Sequence, residues 1–325
     1  MASEFELIRT HFADLGAPRS DVTLGVGDDC ALLAAPPGQR LAVSIDTLVC
    51  GSHFLPEVDP ETLGHKSLAV GLSDLAAMGA EPAWATLALT LPGDLATGSA
   101  PWVAAFARGF GTLARAHGVR LVGGDTTRGP LSVTVQVHGF VPDGLEVRRS
   151  GSRPGDLICL SGTLGDAGLA LRELAAGRAP DALLRARLDR PTPRVDLGLA
   201  LRGLATAMID VSDGLAADLG HILESSRVGA ELALGSLPLS GWVAQALEQG
   251  ADWTLPLASG DDYELCFCLP AQQVAALAGL AERSGCPLAV IGHIRSGQGL
   301  VCLGPDGQAL KLARTGFDHF RAADV

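Results

Sequence analysis

The sequence predicts a two-domain protein that combines an α/β domain with an α+β domain. The chain has 325 residues, enough for about two domains of ordinary size. Strand-like and helix-like segments are mixed along it without the regular period of a βαβ repeat. A stretch rich in glycine, proline and charge, PDGLEVRRSGSRPGD, follows Val141. We therefore expect an N-terminal domain over residues 1–142 and a C-terminal domain over residues 143–325.

The N-terminal part contains four strand-like runs and two helix-like stretches. The strand-like runs are RLAVSID, WATLALTLP, VRLVGGD and LSVTVQVHGFV. In ETLGHKSLAVGLSDLAAMG, Leu68, Leu72 and Leu75 recur at helical spacing, and the helix is expected to end at Gly79. APWVAAFARGFGTLARAHG has a proline near its start and a glycine at its end, as helices often do. These segments predict a sheet flanked by helices.

The C-terminal part begins again with a strand, LICLSG, and a helix, LGDAGLALRELAAG. TAMIDVSDGLAADLGHILESS runs from a strand into a helix, PLASGDDYELCFCLP from a turn into a strand, and CPLAVIGHI is a further strand. Cys266 and Cys268 alternate within one strand, so both should face the same side as small apolar residues. The seven cysteines include no CxxC pair, which favours a reduced, cytoplasmic protein.

Charge and hydropathy exclude several classes of partner. The formal net charge of −12 argues against nucleic acid or an anionic membrane. No apolar run reaches membrane-spanning length, and the N-terminal MASEFELIRTHF does not have the pattern of a signal peptide. An anionic substrate is still compatible with this charge if metal ions mediate its binding.

Acidic residues recur where apolar segments end. They are Asp28 and Asp29 in LGVGDDCALL, Asp46, Asp125, Asp210 and Asp213, with Asp74 inside an apolar helix. Each one alone could be a turn residue or a helix cap. The apolar flanks of the Asp28–Asp29 pair predict that its carboxylates lose water, and Asp74 requires a partner if it is buried. So many acids, in a chain whose only lysines are Lys66 and Lys311, predict hard cations, namely more than one Mg²⁺ ion.

The glycines of VGGDTTRG follow a strand, where backbone N–H groups can approach a phosphate. An ordinary glycine turn would have the same sequence. The P-loop, the GxGxxG turn and the protein-kinase motifs are all absent. If the protein binds a nucleotide, we expect metal ions and arginine to hold it rather than a P-loop lysine.

Taken together, these motifs resemble the thiamine-monophosphate kinase family, part of the aminoimidazole ribonucleotide synthetase superfamily. The matching segments occur in family order and cover nearly the whole chain. They are LGVGDDCALL, SIDTLVCGSHF, HKSLAVGLSDLAAMGAEPAWATLALTLP, LVGGDTTRGPLSVTVQVHGFVP, RRSGSRPGD, IDVSDGLAADLGHI, SGDDYELCF and TGFDHF.

The resemblance implies an N-terminal α/β domain whose mixed sheet pairs across a homodimer, and a C-terminal α+β domain. It implies direct in-line transfer of the γ-phosphoryl group of ATP to thiamine monophosphate, with several Mg²⁺ ions, to give thiamine diphosphate and ADP. The nucleophile would be a phosphate oxygen of the substrate. The second pKa of such a phosphate is about 6, so no general base is expected.

The resemblance also assigns roles to individual residues. The metal set comprises Asp29, Ser44, Ile45, Asp46, Asp74, Asp125, Asp210 and Asp213. The nucleotide set comprises Gly124, Asp125, Arg149 and Ser212, and the substrate set comprises His53, Asp261 and Phe317. Ile45 stands where threonine can occur, so only its backbone carbonyl could bind metal. Asp261 stands where glutamate can occur, so its shorter side chain could reach the substrate through water.

Simpler roles exist for the three substrate residues: a structural histidine for His53, a turn for Asp261 and C-terminal packing for Phe317.

Two other functions compete with the kinase. One is a different ATP-dependent superfamily member that forms a phosphorylated intermediate. The lack of any cysteine before Cys30 and the terminal FRAADV argue against the relatives that use a reactive cysteine at either end. The other is a non-catalytic module that binds Mg²⁺ and nucleotide.

Overall fold

The computed structural model describes residues 4–93, 95 and 100–317. The chain forms two compact units. Within the described residues, the first runs as far as Leu145 and the second begins at Glu146, except that Ala76–Gly79 belongs to the second unit. Each unit combines sheet and helices, which confirms the predicted fold class. Residues 318–320, the end of the TGFDHF motif, lie outside the described part.

Two short strands and a four-stranded sheet form the β structure of the first unit. The short pair is β1 (Val22–Leu24) and β2 (Leu32–Leu33). The sheet contains β3 (Gln39–Val49), β4 (Glu81–Leu91), β5 (Arg120–Arg128) and β6 (Ser132–Pro142), in the order β3-β6-β4-β5. β4 and β5 are parallel and the other neighbours antiparallel, so the sheet is mixed.

The helices of this unit are α1 (Glu4–Leu7), which continues into a π-helical turn at Ile8–Phe12, α2 (Pro60–Ala77) and α3 (Ala100–Ala116). Two glycines bring α2 and α3 together. A Cβ on Gly64 would lie 2.0 Å from the Phe106 carbonyl oxygen, and one on Gly109 would lie 1.8 Å from the Glu61 carbonyl oxygen. Only glycine permits so close an approach, which fixes the position of α2 and of Asp74, one of its two acidic residues.

The second unit contains a seven-stranded sheet in the order β13-β12-β9-β11-β7-β10-β8. Its strands are β7 (Leu157–Ser161), β8 (Ala207–Val211), β9 (Gly229–Ala233), β10 (Glu264–Leu269), β11 (Leu288–Arg295), β12 (Gly299–Leu303) and β13 (Ala309–Leu310). Its helices are α4 (Asp166–Ala175), α5 (Ala182–Asp189), α6 (Val195–Ala200), α7 (Leu215–Ser226), α8 (Gly241–Glu248), α9 (Thr254–Ala258) and α10 (Ala276–Ser284).

One apolar core holds α7 against this sheet. It includes Ile209 of β8, Leu219 and Ile222 of α7, and Cys266 and Cys268 of β10. Both cysteines are fully buried, so they do serve as small apolar residues. All seven cysteines lie in the described part of the chain and all are free thiols. None of the described helices is long and apolar enough to cross a membrane.

Candidate active site

The corner between β3 and α2 brings together three of the residues expected to bind metal. Successive residues of a strand face opposite sides, so Ser44 and Asp46 point toward α2 while Ile45 points away. The Ser44 hydroxyl donates a hydrogen bond to the Asp74 carboxylate on α2. A Cβ on Gly71 would lie 3.6 Å from Asp46 Oδ2, so this residue sits where the helix and the strand meet.

Asp46 lies in an environment that disfavours its charged form. Burial, and after it the neighbouring Asp74 carboxylate, raises the pKa of Asp46 to about 7. The Oδ2 atom of Asp46 is buried and has no hydrogen-bond partner among the described residues. An orphaned carboxylate oxygen beside a second carboxylate and a hydroxyl provides the oxygen ligands that Mg²⁺ prefers. The residues at this corner therefore fit a hard divalent cation.

The predicted loss of water around Asp28 and Asp29 is wrong, because both residues are exposed. Asp28 Oδ1 accepts a hydrogen bond from the backbone N–H of Asp29 at 2.9 Å, so the two residues are linked locally. The apolar flanks pack without burying the pair. Val22 and Leu33, on β1 and β2, contact a buried cluster, while residues 27–30 between the two strands are exposed.

Asp125 lies on the opposite face of the sheet from Asp46. Asp125 pairs with Ala88, Ala88 with Thr134, and Thr134 with Thr47, so these four residues share one face. Thr47 follows Asp46 directly and therefore faces away from it. Three strand spacings separate β3 from β5, roughly 14 Å across the sheet. A single N-terminal unit therefore does not bring Asp125 to Asp46.

Gly124, directly before Asp125, occupies a position that only glycine can fill. Its φ angle is +152°, and a Cβ there would lie 1.9 Å from the carbonyl oxygen of Leu87 on β4. The glycine lets β5 approach β4 and leaves its own exposed backbone without a side chain over it. The VGGD motif thus has a structural role that is compatible with the expected approach of a phosphate.

His53 is half-buried just after β3. Its Nδ1 atom accepts a hydrogen bond from the backbone N–H of Val49 at 3.1 Å. Because Nδ1 is the acceptor, the proton of the neutral ring is on Nε2. An Nε2–H group can donate to a phosphate oxygen, which is the role expected of this residue.

In the second unit, the segment that follows β8 carries two expected site residues. Asp218, on the first turn of α7, accepts hydrogen bonds through Oδ2 from the backbone N–H groups of Ser212, Asp213 and Gly214 at 3.0, 3.1 and 3.1 Å. The Ser212 and Asp213 side chains are half-buried, and Asp210 at the end of β8 is buried. Burial raises the pKa of Asp218 to about 7, the Asp213 carboxylate adds to the rise, and the three N–H groups oppose it.

The carbonyl groups of the same segment bind the chain near the expected substrate residues. Val211 accepts from the N–H of Tyr263 at 2.8 Å, and Ser212 accepts from that of Asp261 at 2.7 Å. Asp213 accepts from the N–H of Phe317 at 3.0 Å. Asp261 and Tyr263 both have positive φ angles, +65° and +50°, which few L-residues adopt. The structure therefore brings Ser212, Asp213, Asp261 and Phe317 together by backbone hydrogen bonds.

Arg149 is exposed on a loop held by the last residue of α7. The Ser226 hydroxyl donates to the Arg149 carbonyl at 3.2 Å. The same oxygen accepts from the backbone N–H groups of Gly151 at 3.1 Å and Ser152 at 3.3 Å. One hydroxyl thus fixes the loop that carries the arginine expected to contact ATP.

Within the described part of each unit, no three His, Cys, Asp or Glu side chains gather closely enough to hold a metal ion. In the first unit, Asp46 and Asp74 lie together, whereas Asp125 is on the other face of the sheet. Sequence patterns alone do not single out Asp218 and Ser226. The available signal was the SDGL turn, whose backbone N–H groups need an acceptor, followed by an acid on the first helical turn. Asp218 reads from sequence as an ordinary residue favoured at a helix N-terminus.

Comparison with known proteins matches both units to one family. Residues 27–141 match the AIR synthase related protein N-terminal domain, and residues 153–303 match its C-terminal domain. The chain is 46% identical to thiamine-monophosphate kinase of Escherichia coli strain K12 over 323 residues, which cover 98% of both chains.

Solved structures agree with this match. The crystal structure of thiamine-monophosphate kinase from Stenotrophomonas maltophilia K279a is 48% identical, with a TM-score of 0.81 over 90% of this chain and 93% of that one. AaThiL complexed with AMPPCP and TMP is 29% identical, with a TM-score of 0.76 over 98% of this chain and 97% of that one. On this similarity along nearly its whole length, the chain belongs to the thiamine-monophosphate kinase family.

Proposed function

We propose that this protein catalyses Mg²⁺-dependent transfer of the γ-phosphoryl group of ATP to thiamine monophosphate, giving thiamine diphosphate and ADP. The observation that carries the proposal is the full-length match to kinases named for this substrate. The complex of a relative with AMPPCP and TMP supports ATP and thiamine monophosphate as the two ligands.

The proposed metal ligands are the carboxylates of Asp29, Asp46, Asp74, Asp125, Asp210 and Asp213, with Ser44 and the Ile45 carbonyl. The orphaned Asp46 oxygen beside Asp74 is the strongest support for a cation in this set. When bound, Mg²⁺ supplies neutralising charge between two anionic phosphates and favours an in-line arrangement. No side chain is proposed as a general base, because the substrate phosphate is largely ionised near neutral pH.

The remaining assignments concern nucleotide and substrate. Gly124, Asp125, Arg149 and Ser212 are proposed to contact ATP. His53 is proposed to donate from Nε2 to the substrate phosphate, since its Nδ1 atom is already an acceptor. Phe317 is 46% exposed, and its ring is proposed to stack on the cationic thiazolium. Asp261 is proposed to accept a hydrogen bond from the aminopyrimidine, directly or through water.

We also propose a homodimer formed through the N-terminal domain, residues 1–142, with residues 143–325 as the α+β domain. Edge strand β3 exposes a row of large apolar side chains on the face away from α2: Leu41, Val43, Ile45 and Val49. Such a row on a sheet edge is typical of a protein interface. Asp125 lies on the same face of the sheet, on β5 at the opposite edge. A cytoplasmic location is proposed because all seven cysteines are free thiols.

The proposal is tested by incubating the protein with Mg²⁺ and ATP and either thiamine monophosphate or thiamine, then separating the thiamine species by chromatography. Thiamine diphosphate formed from the monophosphate alone, and only with Mg²⁺, is the expected result. ADP release with a different acceptor would instead indicate another enzyme of the superfamily. Binding of nucleotide with no turnover would indicate a non-catalytic module.

A further inference from the structure

The Val211–Gly214 segment is bonded on both sides of its backbone. On one side, three consecutive N–H groups converge on a single oxygen of Asp218. On the other, its carbonyl groups accept from the chain at Tyr263, Asp261 and Phe317. Ser212 and Asp213, which are proposed to bind nucleotide and metal, lie in this segment. Asp261 and Phe317, which are proposed to bind substrate, are hydrogen-bonded to it.

The packing around this segment leaves little room for it to shift. A Cβ on Gly214 would lie 2.7 Å from the Cα of Ala258, and one on Gly260 would lie 2.4 Å from the carbonyl oxygen of Ser212. A Cβ on Gly316 would lie 3.0 Å from the carbonyl oxygen of Asp213. The segment and its neighbouring segments are in close contact at these glycines. A displacement of the segment would therefore displace the neighbouring segments as well.

Asp218 is the buried anchor of this arrangement, with only 3% of its surface exposed. Hydrogen bonds from N–H groups to a carboxylate are stronger than those between neutral groups. Removing the acceptor would leave three backbone donors to find other partners, and an unsatisfied buried donor is costly. The segment would then adopt a different or broader set of positions.

We propose that Asp218 is a positioning residue that fixes the Val211–Gly214 segment and through it sets both Ser212 and Asp213 on the nucleotide side and Asp261 and Phe317 on the substrate side. This inference rests on the proposed function. Its distinctive consequence is that a side chain with no assigned contact to thiamine monophosphate governs the affinity for it.

The test measures binding of thiamine monophosphate without nucleotide, by titration calorimetry, in Asp218→Ala and Asp218→Asn. Hydrogen exchange of the Ser212, Asp213 and Gly214 amides is followed in the same variants. We expect Asp218→Ala to raise the Kd about tenfold or more, as loss of an orienting partner does at metal sites. Asp218→Asn retains one oxygen acceptor, so its effect should be smaller. Amide exchange should accelerate in the same order.

Asp156→Asn is a matched control. Asp156 is also buried, 6% exposed, and accepts from the Arg153 N–H at 2.9 Å and the Thr206 hydroxyl at 2.7 Å. It makes no hydrogen bond to the Val211–Gly214 segment, so its loss should lower the melting temperature without changing the Kd for thiamine monophosphate. An equal rise in Kd for Asp156→Asn would mean that any buried acid in this unit has the effect, and would overturn the inference.

If Asp218→Ala does not fold, Asp218→Asn provides the decisive comparison. A folded Asp218 variant with wild-type affinity and wild-type amide exchange would overturn the positioning role alone. Failure of the wild-type protein to bind thiamine monophosphate would overturn the proposed function and this inference with it.

Discussion

Asp46 combines burial, a neighbouring carboxylate and an oxygen with no hydrogen-bond partner among the described residues. Such an arrangement lowers the stability of the folded protein unless a ligand binds there, because a buried charge without a partner is costly. A cation at this position would relieve both the repulsion from Asp74 and the missing hydrogen bond. We therefore expect the proposed kinase activity to depend on the charge of Asp46.

Asp46→Asn should reduce the formation of thiamine diphosphate about 100-fold or more while leaving the protein folded, since the change removes charge but hardly any volume. The measurement is a turnover assay with saturating ATP and Mg²⁺, together with a melting curve. Glu224→Gln, on an exposed turn of α7, is the control and should retain activity. Near-normal activity in Asp46→Asn would contradict the metal assignment.

The stability of the metal-free protein should depend on pH through the same residue. The pKa of Asp46 rises from its ordinary 3.8 to about 7 on folding, so the folded state binds more protons than the unfolded state within that window. The free energy of unfolding contributed by this group therefore falls as pH rises from about 4 to about 7, and levels off above.

Chemical denaturation in the presence of EDTA at pH 5 and pH 8 measures this effect. The wild-type protein should lose more stability between the two pH values than Asp46→Asn, whereas Glu224→Gln should behave as wild type. An identical loss in wild type and Asp46→Asn would show that Asp46 titrates normally.

At the scale of elements, α7 holds two loops, one at each end. Asp218 binds the Val211–Gly214 segment at its start, and Ser226 binds the Arg149–Ser152 loop at its end. Because the two anchors belong to one rigid helix packed in the core, both loops are fixed relative to each other. The element thus orients two parts of the proposed nucleotide site.

Ser226→Ala should weaken nucleotide binding roughly tenfold, because the change removes a hydroxyl that is hydrogen-bonded to three backbone groups. Binding of thiamine monophosphate should be unaffected, since Arg149 is proposed to contact ATP alone. The measurement is calorimetric titration with each ligand separately. An equal loss for both ligands would indicate general loosening of the unit, and no loss for nucleotide would remove the role of this loop.

The sequence patterns located the regular elements well. The predicted helix over residues 61–79 corresponds to α2, Pro60–Ala77, and the predicted strand over 131–141 to β6, Ser132–Pro142. Both depend on local periodicity, which sequence displays directly. The role of Asp218 depends instead on three backbone N–H groups in a turn. The amino-acid sequence does not show in which direction these groups point. The exposure of Asp29 depends on how its apolar flanks pack, which the sequence does not show either.

Contacts between residues far apart in the sequence could not be predicted from sequence patterns either. Fully buried Glu264 binds Arg187 at 2.8 Å and Arg194 at 2.6 Å, partners 77 and 70 positions away in sequence. The sheet register that separates Asp46 from Asp125 is also non-local, because it depends on β4 and β6 lying between the two strands that carry them. The resemblance to the family named both residues but gave neither their faces nor their separation.

At the scale of the whole molecule, the exposed row on β3 makes the proposed homodimer testable. Val43→Asp places a charge in the middle of this apolar row, so it should convert a dimer of 33.3 kDa chains into monomers. Leu183→Asp, at a 69% exposed leucine on α5, is the matched control and should remain dimeric. Sedimentation velocity distinguishes the two states. A dimeric Val43→Asp protein, or a monomeric wild type, would contradict an interface at β3.

The proposed reaction is direct transfer of a phosphoryl group between two phosphates. It is tested by a single turnover with ATP labelled in its γ-phosphate, Mg²⁺ and thiamine monophosphate, quenched in acid. The label should pass from ATP into thiamine diphosphate as fast as ATP disappears, with none on the protein and none without Mg²⁺. Label retained on the protein, or transferred to any acceptor other than thiamine monophosphate, would contradict direct transfer between the two substrates.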